Sequence, residues 1–89
     1  EIIAISMGPQ GAWIVSKEER HFVKAPDVPK KSTVGAGDSM VAGMAFMLQQ
    51  GRSLKDVIAY GVACGSAATM NDGTQLFKKD DADRLFNLM

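Results

Sequence analysis

The sequence predicts an α/β fold: an incomplete sheet, made of one strand and a short β-hairpin, followed by three helices. Three observations carry this. The opening segment is strand-like and punctuated by Gly and Pro. The remainder follows a helical period. The two meet at one small-residue turn, Ser32-Thr33-Val34-Gly35-Ala36-Gly37-Asp38. Strands first and helices after fit an α/β or α+β domain.

Glu1 to Ser6 is a continuous apolar run ended by Gly8-Pro9. Such a run predicts a strand buried on both faces, as in a parallel sheet. Met7 to Gly11 is a tight turn. Ala12 to Val15 is the second strand, with Trp13 and Val15 on one face and Ile14 on the other. His21 to Ala25 is the third, stopped by Pro26. Pro26 and Pro29 keep the next segment extended. A helix is expected from Ser39 to Gln50, with Met40, Met44, Met47 and Leu48 on one stripe and Gly51 past its end. Ser53 caps a second helix, Leu54 to Met70, ended by Asn71-Asp72-Gly73. Asp80 or Asp81 caps a third, carrying Leu85, Phe86 and Leu88. A first strand apolar on both faces needs neighbours that the hairpin cannot supply. Together with an opening at Glu1 rather than Met, this reads as a cut through a larger protein.

Composition excludes several classes. The 89 residues make at most one small domain, and ten Lys+Arg balance ten Asp+Glu. No nucleic-acid or anionic-membrane partner is expected from that balance. One Cys and one His exclude a disulfide scaffold and the common zinc sites. The uncharged stretch Ser39 to Gly51 is too short to span a bilayer. No signal peptide opens the chain, so a cytoplasmic setting is the default.

Gly35-Ala36-Gly37-Asp38 opens the first helix. Amides at a helix start lack intrahelical partners, the macrodipole adds positive character, and glycine lets the backbone approach a ligand. That combination suits a phosphate. A plain turn with Asp38 as N-cap satisfies the same spacing. A Walker A loop is excluded because no Lys follows these glycines, and a dinucleotide fingerprint because Met40 stands at the third Gly position. Beside a phosphate hole, the Asp38 carboxylate can take a proton from an attacking hydroxyl. A loose phosphoryl-transfer transition state asks for orientation more than basicity.

The segment Ser32 to Gly43 resembles the C-terminal signature of the PfkB (ribokinase-like) carbohydrate kinases. Ser6-Met7-Gly8-Pro9-Gln10-Gly11 is similar to that family's ATP-contacting strand-turn. Gly61 to Thr74 resembles its helix and loop over the adenine. The resemblance covers essentially the whole chain. It implies that residues 1–89 are the C-terminal, nucleotide-binding and catalytic-base portion of a ribokinase-like kinase domain. The implied reaction is ATP-dependent phosphorylation of a sugar phosphate, with fructose 6-phosphate, a glycolytic acceptor, expected first. Fructose 1-phosphate, tagatose 6-phosphate, ribose and nucleosides are the acceptors of sibling kinases.

By that resemblance Asp38 is the base acting on the sugar hydroxyl. The amides of Gly35, Ala36 and Gly37 hold the transferred phosphoryl group. Ser6, Met7, Gly8, Pro9, Gln10 and Gly11 touch the nucleotide, and Val62 and Ser66 line its base. Magnesium accompanies ATP. A potassium ion is implied at Ser32, Val34, Ala68, Asn71, Gly73 and Gln75, largely through oxygen atoms, which suit a hard cation. Gln75 replaces a basic residue, which bears on that site. The partners implied are a nucleotide and a phosphosugar, with a homodimer in the full-length enzyme. Most sugar contacts and the magnesium-organising segment belong to parts of the family not found here. The 89 residues alone are therefore expected not to turn over, because catalysis needs both reactants oriented. A non-catalytic nucleotide-binding or self-associating module is the rival reading. An apolar sheet edge predicts that the isolated chain associates, which light scattering checks.

Smaller features read plainly. His21 is expected on the surface without acidic neighbours, Trp13 in the core or an interface, and Cys64 buried and inert. The six Met residues pack. Asp80, Asp81 and Asp83 lack the calcium-loop Gly and Glu and read as capping residues. Lys30 and Lys31 either lean toward nucleotide phosphates or are solvated, and solvation is the expectation.

Overall fold

A computed structural model describes residues 1–71 and 77–89. Three strands, β1 (Ile3–Ser6), β2 (Gly11–Val15) and β3 (Arg20–Lys24), form an antiparallel sheet in the order β1-β2-β3. Three helices follow: α1 (Ala36–Gln49), α2 (Leu54–Thr69) and α3 (Lys79–Leu88). One sheet face lies on α2, and α2 packs between α1 and α3.

The sheet is pinned by its turns. A short 3-10 turn, Gly8–Gln10, joins β1 to β2, and the Met7 N–H donates to the Gly11 carbonyl at 2.8 Å. Gly11 has φ +129°, and a Cβ there would strike the Val23 carbonyl oxygen of the neighbouring strand. Only glycine fits such a place. Between β2 and β3 the Ser16 hydroxyl accepts the Glu18 and Glu19 N–H groups at 3.3 and 3.2 Å. Ala12 and Ile14 point into the core. On the opposite face Trp13 pairs with Phe22, their ring centroids 5.2 Å apart.

The first strand departs from expectation. It pairs antiparallel with β2, and every residue of it is exposed, Ile3 and Ile5 by 49% each. Among the described residues α2 covers β2 and β3 but not β1, so the apolar run has no core of its own. His21 also differs: it is half-buried, and its Nε2 lies 2.6 Å from Glu19 Oε1.

The helical half is close-packed. Met40 and Met47 are buried as the stripe requires, Met44 is half-buried, and Leu48 is exposed. Gly43 and Gly61 set the α1–α2 approach: a Cβ on Gly43 would lie 2.6 Å from Cys64 Sγ, and one on Gly61 2.5 Å from Met44 Cγ. The Ser53 hydroxyl accepts the Asp56 N–H at 3.3 Å, as its capping role predicts. In α3 the capping expectation fails. Lys78 is the N-cap, and Asp80 and Asp81 lie in the first turn. Their charge still complements the macrodipole there. Asp83 accepts from Lys79 at 2.7 Å and from the Tyr60 hydroxyl at 2.8 Å, which ties α3 to α2. Both bonds favour the ionised carboxylate and hold Asp83 below the usual range.

Candidate active site

A cavity of about 270 Å³ opens between the β1–β2 turn, the loop after β3, the first turn of α1 and one face of α2. Each wall has a local cause. Ser6 ends β1, and its hydroxyl accepts the Gly8 N–H at 3.5 Å. Gly8, Pro9 and Gly11 complete that wall; Met7 and Gln10 stand outside the lining. On α2 the stripe Val62, Gly65, Ser66 and Thr69 faces the opening at helical spacing. Gly65 keeps the two helices near each other, since a Cβ there would sit 3.2 Å from the Ala36 carbonyl oxygen.

The start of α1 is a glycine turn that leaves backbone amides open. Gly35 is the N-cap, left-handed at φ 82° and ψ −2°, and its carbonyl accepts the Ser39 N–H at 2.9 Å. The helix thus begins at Ala36, earlier than its apolar stripe suggests. Asp38 lies in the first turn and caps nothing. The Ala36 N–H donates to the Thr33 carbonyl at 3.3 Å, so it is engaged internally. The amides of Gly35, Gly37 and Asp38 have no hydrogen-bond partner among the described residues. Ala36 and Gly37 line the cavity, and nothing lies within 4 Å of the place a Gly37 Cβ would take. Asp38 is exposed and follows Gly37 directly, outside the lining. The next residue anchors this turn: the fully buried Ser39 hydroxyl accepts the Phe77 N–H at 3.3 Å.

The loop that carries Ser32 and Val34 is tied to the end of α2. The Thr69 carbonyl accepts the Lys31 and Ser32 N–H groups at 2.6 and 3.1 Å. Val34 N–H reaches the Ser32 hydroxyl at 3.2 Å, and Asn71 N–H the Ala68 carbonyl at 3.2 Å. Ser32 and Val34 lie on the loop before α1, and Ala68 and Asn71 lie in and just after the last turn of α2; the Thr69 carbonyl ties the two segments. Gly73 and Gln75 lie outside the described residues. Carbonyl and amide oxygens from these segments fit a hard monovalent cation. Magnesium has no such support: among the described residues no group of three or more His, Cys, Asp or Glu could hold a metal.

Sequence reasoning did not find Ala25, Pro26, Thr33, Met40, Gly65 and Thr69, all of which line the cavity. Helical spacing from Val62 and Ser66 was signal enough for Gly65 and Thr69. Lys30, expected in solvent, lines the cavity while remaining exposed; Lys31 does not line it.

No helix among the described residues is long and apolar enough to cross a membrane. The ATP-dependent 6-phosphofructokinase isozyme 2 of Escherichia coli K12 is 46% identical over 84 residues, 94% of this chain and 27% of that protein. The 1-phosphofructokinase of Borreliella burgdorferi is 39% identical over 71 residues, 76% of this chain and 22% of that protein. The chain thus spans about a quarter of the length of these relatives. In structure it matches E. coli phosphofructokinase-2 in complex with potassium, at a TM-score of 0.94 and 45% identity, covering 98% of this chain and 28% of that one. Ribokinase from Thermotoga maritima shares the fold, at a TM-score of 0.88 and 19% identity, covering 98% of this chain and 30% of that one. Residues 1–81 match the pattern of the pfkB family carbohydrate kinases. With the match running through every wall of the cavity, the chain belongs to the pfkB family of carbohydrate kinases.

Proposed function

We propose that this chain forms the nucleotide wall and supplies the base of an ATP-dependent sugar-phosphate kinase, with fructose 6-phosphate as acceptor and fructose 1,6-bisphosphate as product. One observation carries the reading. The Ser6–Gly11 turn, the Val62–Ser66 face and the open Gly37 amide border a single cavity, so one bound molecule can touch all three. The base of ATP lies against Val62 and Ser66, where larger side chains would fill its space. The terminal phosphoryl group reaches the unpartnered amides of Gly37 and Asp38.

The acceptor hydroxyl oxygen attacks the γ-phosphorus as the bond to the ADP oxygen breaks. The hydroxyl proton passes to the Asp38 carboxylate, which is exposed and free to meet an acceptor. Fixed dipoles at the α1 start favour the negative charge of the transferring group. Magnesium bound to ATP would neutralise phosphate charge. Potassium, if bound by the oxygens of Ser32, Val34, Ala68 and Asn71, adds positive charge beside the loop that leads into α1. The setting is the cytoplasm, where ATP is the phosphoryl donor.

Fructose 1-phosphate is the second reading, supported by the likeness to 1-phosphofructokinase. A panel of phosphosugars tests both with the intact enzyme. Fructose 6-phosphate is expected to give the highest kcat/KM, and the 89-residue segment alone to give no turnover. Higher kcat/KM with fructose 1-phosphate would replace the first reading by the second. Turnover by the segment alone would show that these residues complete a two-substrate site.

A further inference from the structure

We infer that Lys30 binds the phosphates of the nucleotide, so that the donor is held by a side-chain cation as well as by main-chain amides. The inference rests on the nucleotide reading above and adds a residue to it. Among the described residues that line the cavity, Lys30 alone carries a charge. No ion pair among the described residues uses it, and it is exposed. Its ammonium is therefore available to a ligand. Its backbone is held in advance: the next amide, Lys31 N–H, donates to the Thr69 carbonyl at 2.6 Å, and Pro26 and Pro29 restrict the loop before it. A cation placed on an ordered loop costs less to immobilise on binding.

The geometry also selects the part of the ligand. Val62 and Ser66 offer an uncharged face for a base, and the Gly37 amide an end point for the last phosphoryl group. A polyphosphate spanning these two carries several negative charges past walls that are otherwise neutral. Lys30 is the counter-charge this cavity contains. Phosphate chemistry could also come from the acceptor sugar. The donor is favoured because Lys30 shares its cavity with the β1–β2 turn and the base face.

The test uses the intact enzyme and three variants, Lys30→Gln, Lys30→Arg and Lys31→Gln. Binding of ATP and of adenosine is measured by titration calorimetry, and KM for both substrates by steady-state kinetics. Lys30→Gln is expected to weaken ATP binding and raise its KM about tenfold, the scale of one hydrogen bond to a charged group, with kcat within about twofold. Adenosine binding is unchanged, Lys30→Arg keeps most ATP affinity, and Lys31→Gln behaves as the unaltered protein. The salt dependence of ATP binding flattens in Lys30→Gln. Unchanged ATP affinity in Lys30→Gln overturns the inference while leaving the nucleotide reading intact. An equal loss of adenosine binding, or a rise in the KM of the sugar phosphate instead of ATP, also overturns it. If the unaltered enzyme binds neither ATP nor adenosine, the nucleotide reading itself falls, and this inference with it.

Discussion

The two walls of the cavity are built by different rules. The helical wall is a tight seam in which Gly43 and Gly61 let α1 and α2 approach within the space of a missing methyl group. Cys64, Ala63 and Ala67 there are wholly buried. The sheet wall is lightly packed at its edge: β1 is exposed throughout, and its turn is set by hydrogen bonds and by one glycine. Packing holds the first wall, and backbone conformation the second. Asp38 rides on the packed wall, while the expected ATP-contacting turn sits on the lightly packed one. A base needs a fixed position.

The sheet wall should break hardest at one atom. Gly11→Ala places a Cβ into the Val23 carbonyl at a backbone angle that other residues rarely adopt. A loss of about 3 kcal/mol or more is expected in urea unfolding of the intact protein, since strain and backbone collision add. A loss under about 1 kcal/mol would show that the hairpin relaxes freely. On the helical wall Gly43→Ala is expected to cost about 1–3 kcal/mol through overpacking. Its added Cβ meets Cys64 Sγ at 2.6 Å, so pairing it with Cys64→Ala should recover part of the loss. A double-mutant cycle reads this as a coupling of about 1 kcal/mol. Strict additivity would mean that the sulfur is not what the new methyl meets.

The smallest effect concerns the thiol itself. Burial pushes Cys64 from its ordinary value of 9.0 up to about 12. Burial, with the hydrogen bond to Asp83, also raises Tyr60. The unfolded thiol, at its ordinary 9.0, ionises more readily than the buried one, so rising pH draws the equilibrium toward the unfolded chain. The sign therefore follows: the Cys64 contribution is fully present below about pH 9 and is lost as pH rises toward 12. At pH 8 a thiol reagent should leave the folded protein unlabelled and take up one equivalent on unfolding. Rapid labelling of the folded protein would show that the seam opens.

How far these walls could be read in advance differs between them. The hairpin, α1 and α2 follow from glycines, prolines and periodic apolar residues, which are local signals. The burial of β1 was not legible, because an apolar run records what a strand prefers and not which helix covers it. The start of α1 shifts to Ala36 because left-handed Gly35 allows the helix to begin ahead of its first buried side chain. Asp80 and Asp81 carry a capping composition, yet the chain turns at Lys78, two residues before Asp80. The loop bearing Thr33 and Lys30 joins the cavity through the distant Thr69 carbonyl, and no short-range pattern encodes that contact.

The most direct measurement is Asp38→Asn in the intact enzyme, with turnover and ATP affinity determined on the same preparation. Turnover should fall by about a hundredfold or more, the scale of general-base catalysis, while ATP affinity stays within about threefold. Asn keeps the size of the side chain and the first turn of α1, so folding is preserved. Near-normal turnover in Asp38→Asn, or a parallel collapse of ATP binding, would contradict the assignment of this carboxylate as the base beside the phosphate hole.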